Sequence, residues 1–131
     1  MRAMRCFVAI AVLVSFTGAT ASAWGSTGTD LRIRVWPDGT GGSSKLWTLR
    51  CGPVGGTLPR PPRACRVLAS IRAPFAPVPS DAVCSEIYGG PQVALVTGTF
   101  RGRRVWTWFS RRNGCETARW ARVQVLFPIR T

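Results

Sequence analysis

The chain has 131 residues, 18 of them lysine or arginine against 5 aspartates and glutamates, a formal net charge of +13, and no histidine. The missing imidazole excludes Ser-His-Asp and Cys-His catalytic arrangements and removes the commonest metal ligand. The few carboxylates are not placed as a glycosidase-type pair, so no enzyme, cofactor or metal site is expected.

Residues 1–5 carry Arg2 and Arg5, an apolar run spans residues 7–16, and small residues end in Ala21-Ser22-Ala23. This is the pattern of a secretory signal peptide over residues 1–23, cleaved after Ala23. The run is too short to span a bilayer, which takes about twenty apolar residues. No later segment reads as a membrane anchor, so the mature chain is expected outside the cell. Cleavage removes Cys6 and leaves Cys51, Cys65, Cys84 and Cys115, an even set that reads as two disulfides in an exported chain. A four-cysteine zinc site would favour Cys-x-x-Cys pairs, which are absent. Four cysteines allow three pairings, and spacing does not choose among them. Cleavage also removes Arg2 and Arg5, so the 18 basic residues become 16 against 5 acidic, a net of +11. Such a field draws polyanions. The arginines are scattered (Arg32, Arg34, Arg50, Arg60, Arg63, Arg66, Arg72) apart from two knots, Arg101/Arg103/Arg104 and Arg111/Arg112. No nucleic-acid module signature accompanies them, so a soluble arginine-rich surface is the preferred reading. A cationic binder of nucleic acid or envelope polyanions is the alternative.

Residues 24–30 are rich in Gly, Ser and Thr and read as a flexible N-terminal arm before a domain over residues 31–131. Residues 31–36 alternate apolar and basic, the period of a half-buried strand, and residues 45–50 resume strand character. Residues 51–62 are dense in Gly and Pro and read as a loop. Pro61-Pro62 then opens a helix whose Ala64, Val67, Leu68 and Ile71 share one face. Residues 92–101 and 103–111 form a hairpin about Gly102, and residues 121–127 a last strand. The fold class is α+β: a five-stranded antiparallel sheet packed with one or two short helices, with two disulfides. Trp106 and Trp108 share a strand face and could stack on a sugar, but packing against a helix or partner sheet is the preferred reading.

The informative stretch is Ser80-Asp81-Ala82-Val83-Cys84-Ser85-Glu86-Ile87-Tyr88-Gly89-Gly90-Pro91. Prolines and glycines flank a cysteine, the composition of an exposed loop held by a covalent staple. A protease inhibitor needs such a loop, because it offers backbone to a substrate cleft and must lose little entropy on binding.

At this point the chain resembles the Streptomyces subtilisin inhibitor family, in order from about residue 31 to residue 128. The motifs are Leu46-Trp47-Thr48-Leu49-Arg50-Cys51-Gly52-Pro53, Gly55-Gly56-Thr57-Leu58-Pro59, Ala64-Cys65, Asp81-Ala82-Val83-Cys84 with Tyr88 and Pro91, Gly98-Thr99-Phe100-Arg101-Gly102-Arg103-Arg104-Val105, and Asn113-Gly114-Cys115-Glu116. The resemblance implies the pairing Cys51–Cys65 and Cys84–Cys115 and a reactive bond Glu86–Ile87. Glu86 would enter the primary pocket of an extracellular subtilisin-like or chymotrypsin-like serine protease. Val83, Cys84, Ser85 and Tyr88 would be reactive-loop contacts, and Asn113 would support the loop by hydrogen bonding. It further implies a homodimer. The family commonly has methionine, lysine or arginine where this chain has Glu86, and Tyr88-Gly89-Gly90-Pro91 is one residue longer than its usual Tyr-Asp-Pro.

Overall fold

The computed structural model describes residues 28–129; the expected signal peptide and the start of the arm lie outside them. Four strands, β1 (Thr29–Trp36), β2 (Lys45–Cys51), β3 (Val93–Phe100) and β4 (Arg103–Ser110), form one antiparallel sheet in the order β2-β1-β3-β4. Alternation along β1 buries Leu31, Ile33 and Val35 and turns Arg32 and Arg34 to solvent. β1 already begins at Thr29, so the last two residues assigned to the arm are paired, Asp30 standing opposite Arg50 and Thr99.

One face of the sheet is covered by α1 (Pro61–Ser70), α2 (Gly114–Arg122) and a short 3-10 helix over Gln124–Leu126. Ala64 and Leu68 of α1, Trp120 of α2, and Val123, Leu126 and Phe127 meet the inward residues of the strands, Phe109 among them. The phenyl ring of Phe127 lies 5.2 Å from that of Phe109 and 4.3 Å from the indole of Trp120. Burial of these side chains is the main favourable term; each contributes on the order of 2 kcal/mol.

The expected fifth strand over residues 121–127 is a correction: Ala121 and Arg122 finish α2, and the 3-10 turn follows. Asn113 Oδ1 accepts from the N–H of Glu116 at 2.9 Å and starts α2. Beyond it the buried positions Trp120, Val123 and Leu126 recur every three residues, which suits helical turns and not the two-residue period of a strand. The sheet therefore has four strands and two helices pack on it. Trp106 and Trp108 are a second correction. They lie on the uncovered face of the sheet, Trp106 with 75% of its surface exposed, and Trp108 stacks at 5.5 Å on Trp36 of the same face, not on a helix.

The β3–β4 turn is carried by Arg101 and Gly102, both at positive φ, 49° and 76°, the hairpin turn whose twist matches its strands. Arg101 is held in this uncommon conformation by its own guanidinium. It donates to the carbonyls of Leu68, Ala69, Ile71 and Arg72 at 3.2–3.4 Å. Leu68 and Ala69 lie in the last turn of α1 and Ile71 and Arg72 just follow it, so the side chain also supplies the cation that a helix C-terminus favours.

Candidate functional site

Between α1 and β3 the chain runs through residues 71–92 with no helix or strand. Within it Val83, Ser85, Glu86, Ile87 and Tyr88 are all exposed, Val83 at 99% and Ile87 at 72%. Cys84 is half-buried because its side chain turns inward to Cys115, the two Cα atoms 5.3 Å apart. The other disulfide is Cys51–Cys65, Cα atoms 5.8 Å apart, so both pairs follow the pairing that the resemblance implied.

Apolar side chains this exposed are not held by packing. What holds the segment is the stretch just behind it, from Arg111 at the end of β4 to Cys115 in the first turn of α2. Ahead of Glu86, the Cys84–Cys115 disulfide and a hydrogen bond of 2.9 Å from Gly114 N–H to the Ser85 carbonyl fix the backbone. Beyond Ile87, Gly89 N–H donates to the Arg111 carbonyl at 2.7 Å, which also accepts from Thr117 Oγ1 at 3.4 Å. The peptide bond between Glu86 and Ile87 thus lies between two anchors that both belong to one short piece of chain.

Glycine is required at both. A Cβ on Gly114 would collide with Ser85 Oγ, and one on Gly89 would stand 2.6 Å from Thr117 Oγ1 and 3.1 Å from the Arg111 carbonyl. Arg111 reaches on to Gln92, its Nη1 donating to Oε1 at 3.1 Å, while its Nε is buried without a partner. Asn113, beside these anchors, uses its Oδ1 to cap α2, accepting from the Glu116 N–H, at the start of the turn that carries Gly114 N–H and Cys115.

A residue the sequence did not single out secures this scaffold. Arg119, only 9% exposed, donates to the Ala76 carbonyl at 2.7 Å, the Trp108 carbonyl at 2.7 Å, Thr107 Oγ1 at 2.6 Å and Glu116 Oε2 at 3.1 Å. Its guanidinium also lies 4.1 Å from the Phe109 ring centroid. One side chain therefore ties α2 to β4 and to the chain leading into the exposed segment. In sequence it reads as one more surface arginine; the signal that could have found it is the Asn113-x-x-Glu116 spacing of a helix start, which sets Arg119 one turn after Glu116. Glu116 is paired with Arg119 and, at 4.0 Å, with Arg112, whereas Glu86 has no ion-pair partner among the described residues.

Among the described residues no cluster of histidine, cysteine or carboxylate could hold a metal ion, and no helix is long and apolar enough to cross a membrane. A comparison with known families matches residues 31–113, well over half of the chain, to the subtilisin inhibitor-like family. The match takes in β1 from its third residue, β2, α1, the exposed segment, β3 and β4. A comparison with curated proteins finds no match.

Proposed function

Because this chain belongs to the subtilisin inhibitor-like family, whose proteins are protease inhibitors and not enzymes, we propose that it is exported and inhibits serine endopeptidases by presenting Glu86–Ile87 as a substrate-like bond. The observation that carries this reading is the double anchorage. Exposed side chains on both sides of one bond are held from behind by a disulfide and two backbone hydrogen bonds, leaving the outward edge free for the enzyme. Backbone already in place loses little entropy on binding, which is how a small loop achieves tight association. Val83, Cys84 and Ser85 precede the bond in the cleft, and Tyr88 follows Ile87.

Glu86 sets the choice of target. It is exposed and, among the described residues, has no ion-pair partner, so its carboxylate enters the primary pocket as a charge that must find a partner or lose its hydration. A pocket with an acid at its base repels it. A pocket with cationic or hydrogen-bonding groups pairs with it through charge-assisted bonds. The favoured targets are proteases that cut after glutamate, or subtilisins whose pocket is wide and partly wet.

The test is the inhibition constant of the protein, of Glu86→Lys and of Glu86→Met against trypsin, subtilisin and a glutamate-specific protease. Glu86→Lys gains trypsin inhibition and Glu86→Met gains on subtilisin, each by about 1–3 kcal/mol. The same ranking of enzymes for all three proteins would show that Glu86 is not the primary-site residue.

A further inference from the structure

Away from the exposed segment, the first half of α1 and the chain that follows α2 border an open groove of about 1010 Å³. Arg60 at the head of α1, with Arg63 and Val67 one and two turns on, forms one wall; Arg122, Val125 and Ile129 form the other. No carboxylate lines the groove, and its three arginines have no ion-pair partner among the described residues. Backbone bonds fix both walls. The N–H groups of Arg63 and Ala64 donate to the Arg60 carbonyl at 3.0 and 3.3 Å, and those of Phe127 and Ile129 donate to the carbonyls of Gln124 and Phe127 at 2.9 and 2.8 Å.

Among the described residues two that are not glycine stand at positive φ, and both are arginines, Arg60 at 53° and Arg101 at 49°. That conformation is unfavourable for a residue with a Cβ, so a long cation placed there asks for a use. Arg101 has one in the four carbonyls at and just beyond the end of α1. The Arg60 side chain makes no capping bond to α1 and lines the groove.

We infer that this groove docks an acidic segment of a partner protein, a short stretch of aspartate and glutamate around a bulky apolar side chain. Guanidinium and carboxylate meet in paired, charge-assisted hydrogen bonds. The apolar side chain covers Val67, Val125 and Ile129, which are only half-buried in the protein alone. Charge and apolar lining together select this occupant. A nucleic-acid strand suits the arginines but needs exposed aromatic faces, and the aromatic ring in the lining, Phe127, is only 2% exposed. An anionic lipid would leave its acyl chain wet in so open a groove. A second copy of the chain has 18 basic residues against 5 acidic to offer, and like charges brought together oppose assembly. None of the lining residues belongs to the exposed segment. Arg122 ends α2, whose first two residues hold that segment from behind, and about 12 Å of helix separates the two ends. Docking and inhibition are therefore separate properties.

The test is fluorescence anisotropy of a labelled peptide, acetyl-Glu-Asp-Leu-Phe-Glu-Asp-amide, titrated with the purified protein. No protease is present, so the outcome does not depend on whether the protein inhibits one. A peptide with serine in place of leucine and phenylalanine, single-stranded oligothymidylate and phosphatidylglycerol vesicles are parallel probes, with sedimentation of the protein alone. Saturable binding in the micromolar range is expected, weakening as salt is added. Arg60→Asn, which still suits a left-handed backbone, and Arg63→Gln each weaken it about fivefold. Ile129→Ser weakens it by about the same factor, and the serine peptide binds about tenfold less tightly. Arg66→Gln, on α1 but outside the groove, leaves binding unchanged. The inference is overturned if the peptide does not bind, if the serine peptide binds as tightly, or if Arg66→Gln weakens binding as much as Arg63→Gln. Tighter binding of the oligonucleotide or the vesicles through Arg60 and Arg63 overturns it too, as does a dimer that Arg63→Gln dissociates.

Discussion

The two disulfides close similar gaps in unlike surroundings. Cys51–Cys65 joins the end of β2 to α1, where the backbone is already bonded: Arg50 and Gly55 exchange both hydrogen bonds, Leu58 N–H donates to the Thr48 carbonyl, and Thr48 and Thr57 bond each other through hydroxyl and backbone. Leu58 of the same turn is buried in the core. Cys84–Cys115 instead holds a segment whose side chains point into solvent and whose backbone has two anchors around Glu86 and Ile87. Where packing has specified a conformation, a disulfide adds stability; where packing is absent, it supplies the conformation itself. The first staple is therefore a property of the fold and the second a property of the site.

The largest expected effect separates them. Replacing Cys84 and Cys115 together by serine raises the inhibition constant by about a hundredfold, since freeing two residues' worth of backbone returns roughly 3 kcal/mol of ordering entropy to the unbound loop. Replacing Cys51 and Cys65 lowers unfolding stability in urea by about 3 kcal/mol on the chain-entropy account and leaves inhibition within a few-fold wherever the protein is folded. Equal damage to inhibition from both double variants would collapse the comparison.

Arg119→Met comes next. It removes four hydrogen bonds and leaves Glu116 without its closer cation, so it should cost about 3 kcal/mol in urea unfolding. It should also weaken inhibition, because α2 carries Cys115 and the Gly114 N–H. A stability loss with inhibition unchanged would show that the loop does not depend on how α2 is seated. The smallest effect is Asn113→Ala, about 1 kcal/mol of stability from the lost cap. Asn113→Asp, which keeps an accepting oxygen at the helix start, should restore most of it. If Asn113 bonded the loop directly, aspartate would not rescue inhibition.

β1 was readable because it alternates apolar and basic residues over six positions, β2, β3 and β4 because β-branched and aromatic residues cluster between glycine-containing turns, and α1 because two prolines precede an apolar face. The exposed segment was readable from its prolines, glycines and cysteine. The error at residues 121–127 has a definite source: a short run of valine, leucine and phenylalanine looks alike in a buried turn and in a strand, and only the Asn113 and Glu116 spacing upstream distinguishes them. The tryptophans misled because aromatic residues usually pack, and nothing local shows that no element covers that side of the sheet. Arg119 and the Arg111–Gly89 bond were out of reach for another reason. Each joins parts of the chain far apart in sequence, Arg119 to Ala76 and Gly89 to Arg111, and such pairs exist only once the fold has formed.

The Cys84–Cys115 bridge turns residues 84–115, hairpin included, into a covalent macrocycle. The Glu86–Ile87 bond is a link in that ring. A protease that hydrolyses it opens a circle instead of dividing a molecule: no fragment departs, and the product weighs one water more than the starting protein. A cut that liberates no second particle gains almost none of the translational freedom that makes ordinary proteolysis run downhill. The opened ring remains a single particle, its new amine and carboxylate still tied to one another through the Cys84–Cys115 bridge.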